Sequence, residues 1–82
     1  MAIKRILVVD DDTLFRDFLK ETLDRKKTYD VDTAKNGRQA LRQMEEDEYD
    51  LILLDIRMPG MDGMQVLEKA NKIQPDSRVL MI

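Results

Sequence analysis

The sequence predicts an α/β fold in which helices cover both faces of a parallel β-sheet. Three short runs of consecutive apolar residues are typical of buried parallel strands, at residues 6–9, 51–54 and 79–82. Between these runs, apolar residues recur with the spacing of amphipathic helices. The resulting order βαβαβαβ, with right-handed crossover connections, predicts a doubly wound parallel sheet.

The first strand and the first helix are clearly marked in the sequence. Residues 6–9 read Ile-Leu-Val-Val, and this unbroken apolar run predicts a strand that is covered on both faces. A helix is predicted to follow, with Asp12 or Thr13 as the cap of its start. Its stripe consists of Leu14, Phe15, Phe18, Leu19, Thr22 and Leu23.

A half-exposed strand and a second helix come next. Apolar or β-branched residues alternate with acids over residues 29–33, which predicts an edge strand with one face in solvent. Asn36-Gly37 is a turn signal, and helical spacing resumes after it. The second helical stripe consists of Ala40, Leu41 and Met44.

The third strand, at residues 51–54, ends in a turn that leads to the third helix. Pro59 fixes its own φ angle and keeps the residue before it out of helical geometry, so the chain is expected to be extended there. Gly60 permits a positive φ angle, and Asp62 is expected to cap the helix. The third helical stripe consists of Met64, Val66, Leu67, Ala70 and Ile73.

The composition describes one small domain and excludes several kinds of site. The chain has 82 residues, a formal net charge of -3 and 43% hydrophobic residues. It contains no cysteine and no histidine, which excludes disulfides, thiolate metal sites and histidine bases. The mild acidity argues against direct nucleic-acid binding, and the apolar run near the start is too short for a signal peptide or a membrane span. The sequence therefore predicts a cytoplasmic protein that acts through carboxylates.

Acidic side chains follow two of the predicted central strands. Asp10 and Asp11 come directly after the first strand, and Asp55 comes directly after the third. If these strands are neighbours, the carboxylates converge at the carboxyl edge of the sheet, where open α/β sheets bind ligands. Carboxylates about 4 Å apart repel each other by about 4 kcal/mol at an intermediate dielectric constant. Such a site suits Mg²⁺, with the main-chain carbonyl of Arg57 as a further ligand, and a carboxylate beside that ion can attack phosphorus to form an acyl phosphate.

Helix capping is the alternative explanation for these acids. Carboxylates that follow a strand often stabilise the positive end of the next helix. Capping is the expected role of Asp12, whereas Asp10 and Asp11 exceed what one cap requires. Asp55 alone also fits a simple turn.

The residues resemble the receiver domain of two-component response regulators. Two motifs carry the resemblance, ILVVDD at residues 6–11 and DIRMPGMDG at residues 55–63, and the stretch 34–41 between them also fits. The resemblance covers the whole chain. It implies a flavodoxin-like sheet with strand order 2-1-3-4.

The resemblance also implies a role for each acid. Asp55 corresponds to the phosphoacceptor, which takes a phosphoryl group from a sensor histidine kinase or a phosphotransfer protein. Asp11 corresponds to a direct Mg²⁺ ligand and Asp10 to one that acts through water, while Asp55 and the carbonyl of Arg57 complete the ligand set. The Arg57 side chain is expected to tune the lifetime of the phosphoryl group. Such a domain is regulatory and is not an enzyme beyond its own phosphorylation and dephosphorylation.

The family pattern continues beyond the fourth strand, and this is expected to limit what the chain does. Residues 1–82 are interpreted as the N-terminal part of a receiver domain, without its last strand, its last two helices or an output domain. Metal binding is expected to be partly possible and signalling to be lost. The fourth strand and the first helix would then expose apolar surface, which predicts self-association. Gln39, where many members have Glu, is expected to have little effect.

Two other functions compete with this prediction. The chain is alternatively a structural fragment or folding building block that self-associates. A phosphatase of the haloacid-dehalogenase type is the second alternative, because residues 10–13 faintly resemble its DxDGT motif, although the required Gly is missing. An EF-hand is disfavoured because residues 55–59 lack its alternating acids.

Overall fold

A computed structural model describes residues 3–55, 57 and 63–82. The strands form one parallel sheet in the order β2-β1-β3-β4, which confirms the predicted architecture. The elements in chain order are β1 (Lys4–Val9), α1 (Thr13–Asp24), β2 (Tyr29–Ala34), α2 (Gly37–Glu46), β3 (Leu51–Leu54), α3 (Gly63–Ile73) and β4 (Arg78–Met81). The expectations for Met58, Pro59, Gly60, Met61 and Asp62 concern residues outside the described part of the chain.

The sheet has a thick apolar layer on one face and a thinner one on the other. Successive strand residues point to opposite faces, so the four apolar residues of β1 contribute to both layers. The layer beneath α2 and α3 contains Leu7, Val9, Ala34, Ala40, Met44, Tyr49, Ile52, Leu54, Val66 and Ala70. The layer beneath α1 contains Ile6, Val8 and Val31, with partly buried Leu19 and Leu23 packed against it.

The first helix is capped as predicted but is only partly packed. One oxygen of Asp12 accepts hydrogen bonds from the backbone N–H groups of Leu14 (3.0 Å) and Phe15 (3.3 Å). No residue of α1 is buried. The side chain of Leu14 is 82% exposed and that of Phe18 is 63% exposed, so the expected exposed face on the first helix is confirmed.

The second helix begins at a cap in which Gln39 takes part. Asn36 accepts a hydrogen bond from the Gln39 N–H at 2.8 Å, and the Gln39 side chain accepts one from the Lys35 N–H at 2.7 Å. These reciprocal bonds satisfy two backbone donors at the helix start. Gln39 therefore has a local structural role.

The start of the third helix is more exposed than its apolar pattern predicts, and the fourth strand exposes apolar side chains as expected. Met64 belongs to the predicted apolar stripe of α3, but it is 61% exposed because Val66 and Ala70 occupy the side of the helix that faces the sheet. Leu80 is 55% exposed and Ile82 is 43% exposed. In the described sheet β4 pairs with β3 alone, so it is an edge strand with apolar side chains in solvent.

A polar network that the sequence pattern does not indicate joins the loops near the amino ends of the strands. The buried Gln74 accepts hydrogen bonds from the Tyr49 N–H (2.9 Å) and the Ser77 hydroxyl (2.7 Å), and its amide donates to the carbonyls of Met44 (2.7 Å) and Asp47. Beside it, a charged cluster links three segments. Its members are Arg5, Asp32 (2.8 Å from the guanidinium), Asp47 (3.2 Å) and Tyr49, whose hydroxyl donates to Asp32 at 2.7 Å.

Within the part of the chain that the structure describes, none of the helices combines the length and the apolar character that crossing a membrane requires.

We predict that Gln74→Met destabilises the fold by about 2–4 kcal/mol, because the substitution keeps the volume but leaves several buried polar groups unpaired. The measurement is the free energy of unfolding from urea titration followed by circular dichroism. Asn71→Met, which alters an exposed amide of α3, should stay within about 0.5 kcal/mol of the unaltered chain. Equal unfolding midpoints for the two variants would contradict the prediction.

Candidate metal centre

The strand register brings the predicted acids to one edge of the sheet. Val9 pairs with Leu54 at the end of β1 and β3, so Asp10 and Asp55 are the next residue in each strand. The Asp55 N–H donates to the Val9 carbonyl at 2.9 Å, and the Asp10 N–H donates to the Ala34 carbonyl of β2 at 3.1 Å. The backbone ladder thus continues to both aspartates and holds them at neighbouring positions.

The predicted convergence of three carboxylates is confirmed. Asp10, Asp11 and Asp55 each offer one carboxylate oxygen, and these oxygens all lie within 4.8 Å of one another. Asp10 is buried, Asp55 is half-buried and Asp11 is exposed. The cluster is therefore open to solvent on the side of Asp11 and closed by the sheet on the side of Asp10.

Asp10 and Asp55 are oriented by the same local hydrogen-bond pattern. The Asp12 N–H donates to the Asp10 carboxylate at 2.9 Å, and the Arg57 N–H donates to the Asp55 carboxylate at 3.0 Å. Each aspartate thus accepts a bond from the residue two positions later, as Asx-turns do. The backbone of Arg57 adjoins the site, and its side chain is exposed.

The electrostatics of the cluster favour a bound cation. Burial raises the pKa of Asp10, the hydrogen bond from Asp12 lowers it, and the nearby charges of Asp55 and Asp11 raise it again, with a net increase. Ionising all three acids together is unfavourable without a counter-charge. Because the site offers only hard oxygen donors, with one closed side and one open side, its residues fit Mg²⁺.

Asp12 lies beside the cluster but has a different role. Its side chain accepts from two backbone N–H groups at the start of α1, so its predicted role as the helix cap is confirmed. Sequence reasoning missed Arg16, whose guanidinium donates to the Asp10 carbonyl at 2.8 Å. The spacing of six residues matches no capping or helix-pairing rule, so the contact had no signal in the sequence.

The chain is similar to known proteins over nearly its whole length. Residues 6–82 match the family model of the response regulator receiver domain. The response regulator receiver protein CpdR of Brucella abortus is 39% identical over 79 residues, which cover 96% of this chain and 65% of CpdR. A protein-glutamate methylesterase/protein-glutamine glutaminase of Rhodospirillum rubrum is 40% identical over 76 residues, which cover 93% of this chain and 20% of that protein. The chain thus spans less than two thirds of the length of these relatives.

Solved structures of the response regulator protein TrrA share the fold and 43% sequence identity. TrrA of Thermotoga maritima in complex with Mg²⁺-BeF has a TM-score of 0.87, and the match covers 96% of this chain and 68% of TrrA. TrrA in complex with the histidine kinase ThkA has a TM-score of 0.86, with 96% of this chain and 67% of that chain covered.

We predict that Asp10→Asn stabilises the metal-free fold by on the order of 1–2 kcal/mol at neutral pH, because two like-charge contacts disappear while the acceptor for the Asp12 N–H remains. The raised pKa of Asp10 means that the folded chain holds this proton to a higher pH than the unfolded chain. The unfolding free energy contributed by Asp10 therefore falls as the pH rises from the ordinary value of 3.8 through the raised value.

The measurement is urea unfolding without divalent ions at several pH values. The advantage of Asp10→Asn should be small well below pH 3.8 and should grow as the pH rises through the raised pKa. Asp76→Asn removes the same charge from an exposed position between α3 and β4 and serves as the control. A variant that is less stable than the unaltered chain at neutral pH would refute the repulsion on which the prediction rests.

Proposed function

The chain belongs to the response regulator receiver domain family, and we propose that it accepts a phosphoryl group on Asp55 with Mg²⁺ bound by the adjacent acids. The observation that carries the proposal is the cluster of Asp10, Asp11 and Asp55 at the carboxyl ends of β1 and β3. Receiver domains are regulatory phosphoacceptors with an acidic Mg²⁺ pocket, and TrrA was solved in complex with Mg²⁺-BeF. The order of the fold's elements and the position of the acids agree with that activity.

Asp55 has the environment expected of the proposed nucleophile. It is half-buried at the end of β3, and the Arg57 N–H orients its carboxylate. In the proposed step an oxygen of Asp55 attacks the phosphorus of a phosphohistidine. The P–N bond breaks as the P–O bond forms, and the imidazole nitrogen keeps the electron pair and takes up a proton. The product is an acyl phosphate on Asp55.

Asp11, Asp10, Asp55 and the carbonyl of Arg57 are the proposed metal ligands. Asp11 is exposed and suited to direct coordination, whereas the buried Asp10 carboxylate already accepts a bond from Asp12 and is suited to a contact through water. When bound, Mg²⁺ supplies positive charge that allows the acids to ionise together and balances the charge of the phosphoryl oxygens. The side chain of Arg57 is free to project toward solvent, where it is proposed to affect the lifetime of the acyl phosphate.

A histidine kinase or a phosphotransfer protein is the proposed phosphoryl donor. Receiver domains interact with histidine kinases, and the complex of TrrA with ThkA is one example. A donor must reach Asp55 across the rim of the cluster, and the exposed apolar residues of α1 begin beside that rim at Leu14. We therefore propose Leu14 and Phe18 as part of the contact surface.

The full-length protein is proposed to carry further segments. The match to CpdR covers 65% of that protein, which agrees with residues 1–82 being the N-terminal part of a receiver domain. Output domains occur in relatives, since the methylesterase of Rhodospirillum rubrum matches this chain over only 20% of its length.

We predict that the chain gains one phosphoryl group when it is incubated with phosphoramidate and Mg²⁺, and that Asp55→Asn gains none. Intact-mass spectrometry at neutral pH measures the gain, and removal of Mg²⁺ with a chelator should abolish it. Asp76→Asn, at the opposite end of the sheet, should be phosphorylated like the unaltered chain. If Asp55→Asn were phosphorylated as much as the unaltered chain, another residue would be the phosphoacceptor.

A second candidate function, a fragment that self-associates, is favoured by the exposed apolar edge of β4. We predict that the apparent mass from light scattering rises with protein concentration and that Leu80→Lys reduces this rise, because a charge on an edge strand opposes pairing with another chain. Met64→Lys is the matched control, since Met64 is similarly exposed but belongs to α3, which packs on the face of the sheet opposite to Leu53 and its partner Leu80. A constant monomer mass at all concentrations would rule out this candidate.

A further inference from the structure

Arg16 connects α1 to the end of the strand that carries the acids. Its guanidinium Nη1 donates to the carbonyl oxygen of Asp10 at 2.8 Å. Its own backbone N–H donates to the Asp12 carbonyl at 3.0 Å, as part of the first turn of the helix. The side chain therefore spans from a helix whose backbone is already ordered to a peptide group just beyond the last residue of β1.

The turn between β1 and α1 is held on both sides of Asp11. On one side, Asp10 is fixed by its N–H bond to Ala34, by the bond from Asp12 to its carboxylate, and by Arg16 at its carbonyl. On the other side, Asp12 is fixed as the cap of α1. Asp11 is exposed, yet its carboxylate lies in the cluster. The peptide that joins Asp10 to Asp11 is the one that Arg16 holds.

We propose that Arg16 is a positioning residue for the divalent cation. By holding the Asp10 carbonyl, it keeps the Asp11 carboxylate directed into the cluster before the ion arrives, and the ordering of this turn is not left to the binding step. The inference rests on the proposed function, because it takes Mg²⁺ as the ion that binds there.

The positive charge of Arg16 opposes cation binding, whereas the proposed positioning favours it. The direction in which the affinity changes when Arg16 is removed therefore tests the proposal. A guanidinium near a cation site repels the cation, so removing it should tighten binding if charge alone matters. If Arg16 acts by positioning Asp11, its removal should weaken binding in spite of the lost repulsion. The direction of the change in affinity separates the two roles.

The ratio of the affinities for Mg²⁺ and Ca²⁺ gives a second measurement, which a general loss of stability would not change. Mg²⁺ demands near-octahedral geometry with short bonds, whereas Ca²⁺ accepts longer bonds and more varied geometry. A displaced Asp11 carboxylate should therefore cost more affinity for Mg²⁺ than for Ca²⁺. A change in charge alone would alter both affinities by the same factor.

The experiment is isothermal titration of Mg²⁺ and, separately, of Ca²⁺ into the unaltered chain and three variants. Arg16→Met should bind Mg²⁺ about tenfold more weakly, with a smaller loss for Ca²⁺, since loss of an outer-shell partner costs roughly tenfold or more in metal affinity. Arg16→Lys keeps the charge but replaces the guanidinium donor with a shorter ammonium group. Its affinity for Mg²⁺ should lie between the affinities of the unaltered chain and of Arg16→Met. Arg25→Met removes the same charge beyond the far end of α1, where Arg25 pairs with Glu21, and should change either affinity less than about twofold.

Urea unfolding of each variant confirms that it is folded at the titration temperature. If Arg16→Met does not fold, Arg16→Lys decides, and an affinity for Mg²⁺ equal to that of the unaltered chain would overturn the proposal. Equal or tighter binding by Arg16→Met, or equal losses for the two ions, would also overturn it while leaving the proposed function standing. Failure of the unaltered chain to bind Mg²⁺ would overturn the metal-dependent function and this inference together.

Discussion

The register between β1 and β3 is the constraint on which the acidic site depends. Val9 and Leu54 are paired partners, so one aspartate follows each strand at the same edge of the sheet. Shifting one strand by a single residue would turn every side chain of that strand to the other face and would separate Asp10 from Asp55. The fully buried residues Leu7 and Ile52 oppose such a shift, because each would lose its place in the core. Apolar packing therefore determines where the carboxylates meet.

The same packing must offset the repulsion that it creates. Domains of this size are marginally stable, typically by roughly 5–15 kcal/mol, and several like-charge contacts at one edge are a sizeable fraction of that. The bonds from the Asp12 N–H to Asp10 and from the Arg57 N–H to Asp55 recover part of the cost locally. A cation would relieve the rest. The acidic cluster thus lowers the stability of the fold while it suits the site to cation binding, which is common at functional sites.

Much of the fold could be predicted because its main signals are local. The apolar run of β1, the cap at Asp12 and the acids after each central strand all follow from short-range rules. The exposure of Met64 could not be predicted, because helical spacing defines an apolar stripe but not how much of its width the sheet covers. The contacts of Arg16 with Asp10 and of Gln74 with its four partners depend on where distant segments meet, and no spacing in the sequence encodes that.

The apolar packing of α1 is uneven along the helix. Leu19 and Leu23 anchor its second half to the sheet, whereas Leu14 and Phe18 leave its first half largely in solvent. The first turn of α1 is therefore held by the Asp12 cap and by the bond from Arg16 to the Asp10 carbonyl, and not by apolar burial. That turn adjoins the acidic cluster, so a change of charge in the cluster acts on the polar contacts that hold the start of α1. The exposed apolar surface of Leu14 and Phe18 is thereby connected, through one helical turn, to the charge of the cluster.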